Sequence, residues 1–327
     1  MTLTQLRYLV AIADAGLNIT LAAERVHATQ PGLSKQLRQL EDELGFLVFT
    51  RRGRSLDAVT PAGGQVITHA RRLLAEATSI RNFAANQRGE AGGQLALATT
   101  PTLARFVLPP LLADLREAFP DLRVRLEPSQ EGEVLSRLGS GQIDAALLST
   151  TGATPAGGIA VPLFSWRRVL LLPAGHPLAA TPAPGLQDLA EVPLISYVSA
   201  ERPESSLQQA FRGAGLEARL SMTTHDSELI QTYVRTGMGV GLLAEMSVGA
   251  RDLDGLVVRP APPEVADCIA WAVVPGERVL RDYTIDLLVA VAPQLDRHDL
   301  RRILSGHQEP SWPSPPSWTA LAGSIDV

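Results

Sequence analysis

The sequence predicts an α/β chain that opens with a small all-α domain carrying a two-stranded wing. Three observations predict it. Residues 19–45 read as two short helices around a tight turn, and residues 60–88 as one long amphipathic helix. From residue 95 onward, short apolar strands alternate with helices, as in a sheet layered with helices.

The first helix spans 3–14, with Leu6, Leu9, Val10 and Ala13 on one face. Ala22, Ala23 and Val26 give the second an apolar face. Leu33, Leu37, Leu40 and Leu44 recur at spacings of four, three and four in the third, a helical period. Between them Thr29 is placed as an N-cap and Pro31 near the first helical position. The third helix exposes Gln30, Ser34, Lys35 and Arg38. A short helix pair with a polar, basic second face suits entry into a DNA major groove, the geometry of a helix-turn-helix. Residues 46–60 read as two strands around RRGR, a basic wing. The candidate DNA contacts are therefore Thr29, Gln30, Ser34, Lys35 and Arg38, with Arg51, Arg52 and Arg54 reaching backbone or minor groove.

Thr60-Pro61 starts the long helix. Val66, Ala70, Leu73, Ala77, Ile80 and Ala84 recur in it at heptad spacing. A packed core can use the same pattern, but a helix of this length needs a partner to cover the stripe, so a homodimer is expected. RGEAGG (88–93) is a glycine-rich hinge. Strands follow at 95–100, 122–128, 143–149, 169–173, 193–197, 219–223, 239–244 and 268–274, in the grammar of parallel α/β sheets, with helices at 104–118, near 130–140, 186–191, 204–213, 226–236 and 280–292. The tail from Gly306 is rich in proline and serine and is read as poorly ordered, with Trp312 and Trp318 able to dock transiently.

Bulk properties exclude several function classes. With 45% hydrophobic and 19% charged residues the chain is an ordinary globular protein. No stretch has the ~18 uninterrupted apolar residues of a membrane span, and MTLTQLRYLVAIADAG lacks a basic leader. One cysteine, Cys268, excludes an internal disulfide and fits a reducing cytoplasm. Residues 1–88 carry 11 basic and 7 acidic side chains and the remainder 18 and 27, so a basic N-terminal part sits on an acidic body. Lys35 is the only lysine. A P-loop or a Schiff-base enzyme would have to use it, in the wrong context. The six histidines show no metal spacing, there is no GxSxG elbow, and Asp226 reads as a helix cap. GMGVG (237–241) follows a helix and precedes a strand, the reverse of a dinucleotide fingerprint. No cofactor, metal or catalytic residue is expected.

The stretches AAERVHATQPGLSKQLRQLEDELGFLVFTRRGR, VTPAG, ATTPTLARFVLPP, SWRRVLLLPAGHPLA and TYVRTGMGVGLLAEM resemble the LysR-type transcriptional regulators, to about residue 300. The later ones look like the CysB-type branch, which governs sulfur-assimilation genes. The resemblance implies a winged helix-turn-helix domain at 1–59, a dimerisation helix at 60–88 and a hinge at 89–94. It implies a two-lobed effector domain like the periplasmic solute-binding proteins (type II), with lobe I at 95–162 and 268–305 and lobe II at 163–267, then the tail at 306–327. It further implies a cytoplasmic homotetramer (a dimer of dimers) that binds a roughly palindromic operator, contacts RNA polymerase and responds to a small anionic effector. O-acetylserine, N-acetylserine and sulfate-like ligands are associated with the branch.

From local pattern alone, Thr100 and Thr102 either cap a helix or hold an anion with their hydroxyls and the helix N–H groups. The resemblance implies the second, with Ser149 in place of the branch's threonine and Trp166 lining the cleft. Two departures stand out: Leu103 where the branch has glutamine, and Arg202 where it has threonine. Arg202 faces either the cleft or the surface. A guanidinium in the cleft would favour a carboxylate or sulfonate. The rivals are a transporter's solute-binding protein and an α/β cleft enzyme.

Overall fold

A computed structural model describes residues 1–53, 55–128, 137–138, 142–249, 253–276 and 278–323 of the 327. The chain divides into two compact units, Met1–Gly89 with Arg278–Leu280, and Glu90–Glu277 with Arg281–Val327.

The first unit holds α1 (Leu3–Asp14), α2 (Ile19–Arg25), α3 (Gln30–Leu44), β1 (Phe49–Arg52), β2 (Ser55–Val59) and α4 (Pro61–Gln87). Each helix start is capped by its own sequence. Thr2 and Gln5 form a capping box, and Asn18, Thr29 and Thr60 accept from Leu21, Gly32 and Gly63 N–H. Gly45, at φ 77°, ends α3 in the left-handed conformation that a side chain would resist. Leu6, Leu9, Ile12, Ala22, Leu33, Leu37, Leu40 and Phe49 form one core, joined by Ile67 and Ala70 of α4.

Glu41, 4% exposed, ties the wing to α3. Its carboxylate accepts the Val48 and Phe49 N–H groups at 2.9 and 3.3 Å and pairs with Arg51 at 2.6 Å.

The heptad seam is split by its surroundings. Ala70 lies in the core and Val66 packs against it. Ala75, Ser79 and Ala85 are buried, and Asn82 and Asn86 donate to the Val279 and Leu280 carbonyls of the same unit. Leu73, Ile80 and Phe83 remain 46%, 71% and 55% exposed. The uncovered stripe therefore runs from Leu73 to Phe83 rather than from Val66. Phe83 was not part of the expected seam.

The second unit contains two five-stranded sheets. The first is built from β3 (Gly93–Thr99), β4 (Leu122–Pro128), β5 (Ala145–Thr150), β6 (Ile159–Trp166) and, much later in the chain, a strand over Cys268–Val274. Helices α5 (Pro101–Phe106) and α6 (Leu108–Ala118) follow β3. The second sheet takes β7 (Arg168–Pro173), β8 (Leu194–Tyr197), β9 (Leu220–Thr224), β10 (Val240–Ala244) and β11 (Leu256–Pro260), with helices α7 (Leu186–Ala190), α8 (Ser206–Gly213) and α9 (Ser227–Arg235) between them. The return strand is β12 (Cys268–Val274), and α10 (Asp282–Val291), α11 (Arg297–Leu304) and α12 (Trp318–Ala322) complete the chain. The strand orders are β4-β3-β5-β12-β6 and β11-β7-β10-β8-β9.

The sheets are mixed rather than parallel. Pairs β3/β4, β3/β5, β8/β9 and β8/β10 are parallel, whereas β5/β12, β6/β12, β7/β10 and β7/β11 are antiparallel. Strand β12 returns from the second sheet and enters the first against the direction of β5. The half-buried Asp144 beside β5 accepts the Ala96 N–H at 2.8 Å, and desolvation pushes its carboxyl above the usual range.

Three further expectations need correction. The helix at 104–118 is two helices, because Pro109 and Pro110 have no N–H to continue the ladder and α6 restarts at Leu108. Strand β6 stays in the first sheet through Trp166, paired with Cys268, so the first lobe ends there and not at Pro162. The tail is ordered through Gly323. The Ser165 N–H donates to the Pro316 carbonyl at 2.8 Å, and Trp318 lies 5.2 Å from the Phe164 ring. Trp318 and Leu321 are buried, which offsets the ordering cost in a segment already stiffened by proline. The helix expected near 130–140 falls largely outside the described residues.

Candidate functional site

Two sites emerge. On α3, Gln30, Lys35 and Arg38 are exposed and Ser34 is half-buried. Gln30 Nε2 donates to Ser34 Oγ at 3.2 Å, so these two polar side chains are held together one turn apart. Thr29 is exposed but its oxygen is used as the helix cap. Opposite this face, Leu33, Leu37 and Leu40 lie in the core, which fixes the helix rotation. In the wing Arg52 is exposed, while Arg51 turns to Glu41. Arg51 thus holds the wing in place. Arg54 lies outside the described residues.

The second site is a cleft of about 340 Å³ in the other unit, within the range of small-molecule sites. It gathers Thr100, Thr102, Leu103, Ser149, Trp166 and Arg202, every expected effector residue. Strand β3 delivers Thr100–Leu103, β5 delivers Ser149, and β6 delivers Trp166. A helical turn at Val198–Glu201 delivers Arg202. Arg202 lines the cleft and is also exposed, so both alternatives hold at its mouth.

The helix start at Thr100 offers less than expected. Thr100 Oγ1 accepts the Leu103 N–H at 3.5 Å, and Pro101 has no N–H. What remains for a ligand is the Thr100 hydroxyl proton, together with the Thr102 hydroxyl and N–H. Ser149 Oγ accepts the Trp166 indole N–H at 3.1 Å, which orients the ring and leaves the serine proton for another acceptor. Leu103 is 3% exposed and forms part of the wall.

Sequence reasoning missed several lining residues, among them Thr151, Arg168, Tyr197, His225 and Cys268. Arg168 opens β7, and Cys268 sits opposite Trp166 in the β6/β12 register. Only that register brings residues a hundred positions apart together. Outside the lining, Arg105 of α5 pairs with Glu228 of α9 at 2.5 Å. Both are half-exposed, so the pair contributes little to stability by itself.

The glycines of GMGVG serve the backbone. Gly237, at φ 77°, ends α9, and a Cβ on Gly239 would stand 2.5 Å from the Pro193 carbonyl. The motif is a turn with close backbone approach. Asp226 caps α9 through the Glu228 N–H at 2.8 Å, as expected. Among the described residues no cluster of His, Cys, Asp or Glu is arranged to hold a metal, and no helix is long and apolar enough to cross a membrane.

Residues 3–64 match the model for bacterial regulatory helix-turn-helix proteins of the lysR family, and residues 88–296 match the LysR substrate binding domain. This chain belongs to the LysR family of transcriptional regulators. The HTH-type transcriptional regulator CysB of Haemophilus influenzae is 33% identical over 303 residues, covering 91% of this chain and 92% of the relative. The regulator cbl of Escherichia coli (strain K12) is 35% identical over 257 residues, covering 79% and 81%. A full-length OxyR variant from Pseudomonas aeruginosa has the same fold, with a TM-score of 0.68 at 25% identity over 91% of this chain and 99% of that one. In this LysR-family chain the α3 face lies within the helix-turn-helix match and the cleft within the substrate-binding match.

Proposed function

We propose that this LysR-family regulator binds a roughly palindromic operator as a homo-oligomer, a dimer of dimers, and that a small organic anion in its cleft controls that binding or activation. The observation that carries the reading is the cleft itself. Threonine and serine hydroxyls, an indole and an arginine converge on a volume fit for a small molecule. It works in the cytoplasm, without catalysis, and contacts RNA polymerase. CysB and cbl point to effectors of sulfur metabolism. In this chain Leu103 replaces an expected amide and Arg202 an expected hydroxyl, so the effector is a sulfonate or carboxylate with an apolar portion rather than a small polar acetylserine.

On DNA, Gln30, Ser34, Lys35 and Arg38 read base edges or phosphates, and Arg52 and Arg54 reach the backbone. Replacing Lys35 or Arg38 by alanine weakens operator binding by roughly 1–3 kcal/mol when a base contact is lost, and leaves effector binding unchanged. Mobility-shift titrations on the full chain check this. Unchanged affinity in both variants would remove α3 as the reader.

For the effector, Arg202→Thr lowers affinity for an organosulfur anion by about threefold, the scale of a solvent-screened charge. Leu103→Gln shifts preference toward polar ligands. Calorimetry with an alkanesulfonate and with N-acetylserine reads both. Equal binding of the two by the wild type, with no response to Arg202→Thr, would overturn the assigned preference while leaving the DNA reading intact.

A further inference from the structure

Arg168 is a second guanidinium in the cleft, and its surroundings differ from those of Arg202. It is half-buried at the start of β7, where its backbone pairs with Ala244 of β10. Its Nη1 donates to Ser206 Oγ at 2.5 Å, to the Ala266 carbonyl at 3.4 Å and to Cys268 Sγ at 3.2 Å. Its Cζ lies 5.5 Å from the centre of the Trp166 ring.

None of these partners is a carboxylate, and among the described residues Arg168 forms no ion pair. An arginine keeps its charge in any protein environment, so a half-buried one without a counter-charge has a positive charge to offer an anion. All three hydrogen bonds use Nη1. That leaves Nη2 and Nε, a parallel donor pair that matches two oxygens of one oxyanion. Trp166 and Ser206 hold the guanidinium in place, so its ordering cost is met before any ligand arrives. Arg202, by contrast, is exposed at the mouth, where solvent and salt screen it.

We propose that Arg168 is the main anion-binding group of the cleft, gripping the sulfonate or carboxylate head group through Nη2 and Nε while the Trp166 ring holds its guanidinium in place. The hydroxyls of Thr102 and Ser149 complete the oxyanion's shell. Arg202 then acts at the entrance, drawing the anion in. This rests on the cleft being the effector site.

The test is calorimetry on the full-length protein with butanesulfonate and its neutral isostere butanesulfonamide. The two share shape and differ in charge, so their affinity ratio reads charge recognition and not the integrity of the fold. The wild type is expected to prefer the sulfonate by about tenfold or more. In Arg168→Gln that ratio drops by about fivefold or more, and in Arg168→Lys, which keeps the charge and loses the fork, it drops less. Arg168→Lys also carries the test should the glutamine variant fail to fold. If both affinities fall together and the ratio holds, Arg168 is structural and the proposal is overturned. If Arg202→Thr collapses the ratio while the Arg168 variants do not, the anion is read at the mouth and the proposal is overturned as well. If the wild type binds neither probe, the effector reading fails and the role of Arg168 with it.

Discussion

Glutamates at Leu73 and Ile80 are expected to split the proposed homodimer and to cut operator affinity by about a hundredfold or more, the scale on which two linked half-site contacts exceed one. The two side chains are 46% and 71% exposed on α4, so within one chain the change is a surface substitution of small effect. In a dimer seam the same residues become buried, and each unpaired carboxylate carries the cost of a buried charge. Sedimentation should show a smaller species with unchanged helix content. Phe83, 55% exposed on the same stretch of helix, should behave likewise when replaced. A variant that keeps the wild-type mass and affinity would show that chains do not pair through this stripe.

Glu41→Ala is expected to destabilise the N-terminal unit by about 2–4 kcal/mol, a large share of a small domain's stability. The loss has two parts. The buried Val48 and Phe49 N–H groups are left without their acceptor, and Arg51 loses its partner. The second part is the smaller, because Arg51 is one-third exposed and water screens it. Glu41→Gln keeps an acceptor for the N–H groups and should cost less. Arg51→Ala should also cost less, since it removes the exposed member. Chemical denaturation of the three variants gives the order directly. Equal stability of Glu41→Ala and the wild type would mean that the wing is anchored elsewhere.

The two variants separate what was legible in the sequence from what was not. The helix-turn-helix was legible because its signals are local. Leu33, Leu37 and Leu40 lie in the core as their spacing requires, and the caps Thr29 and Thr60 bond as their positions imply. The inward turn of Arg51 was not, because periodicity assigns a face to a residue and not a partner to a guanidinium. The seam was half-legible. A heptad pattern marks apolar positions, but only the fold shows that Ala70 is spent in the core while Leu73, Ile80 and Phe83 stay uncovered.

The cleft divides the same way. Thr100, Thr102, Ser149, Trp166 and Arg202 were found through family resemblance, residue by residue. Arg168 and Cys268 had no local signal. One is among 28 arginines, and the other meets Trp166 only through the register of β12 against β6. The tail misled for a physical reason. A segment crowded with proline and serine has few apolar side chains to bury, which reads as disorder. Yet proline also lowers the entropy lost on docking, and one buried tryptophan then suffices.

In the proposed function, α3 reads DNA under the control of an anion in the cleft. Selection of bound sequences from a random duplex pool, with the full-length protein in the presence and absence of butanesulfonate, tests it most directly. A roughly palindromic motif should be enriched, and lost in Arg38→Ala, with affinity or contact spacing that changes when the sulfonate is added. Recovery of no preferred sequence, or of the same motif from Arg38→Ala and wild type with no response to the ligand, would contradict it.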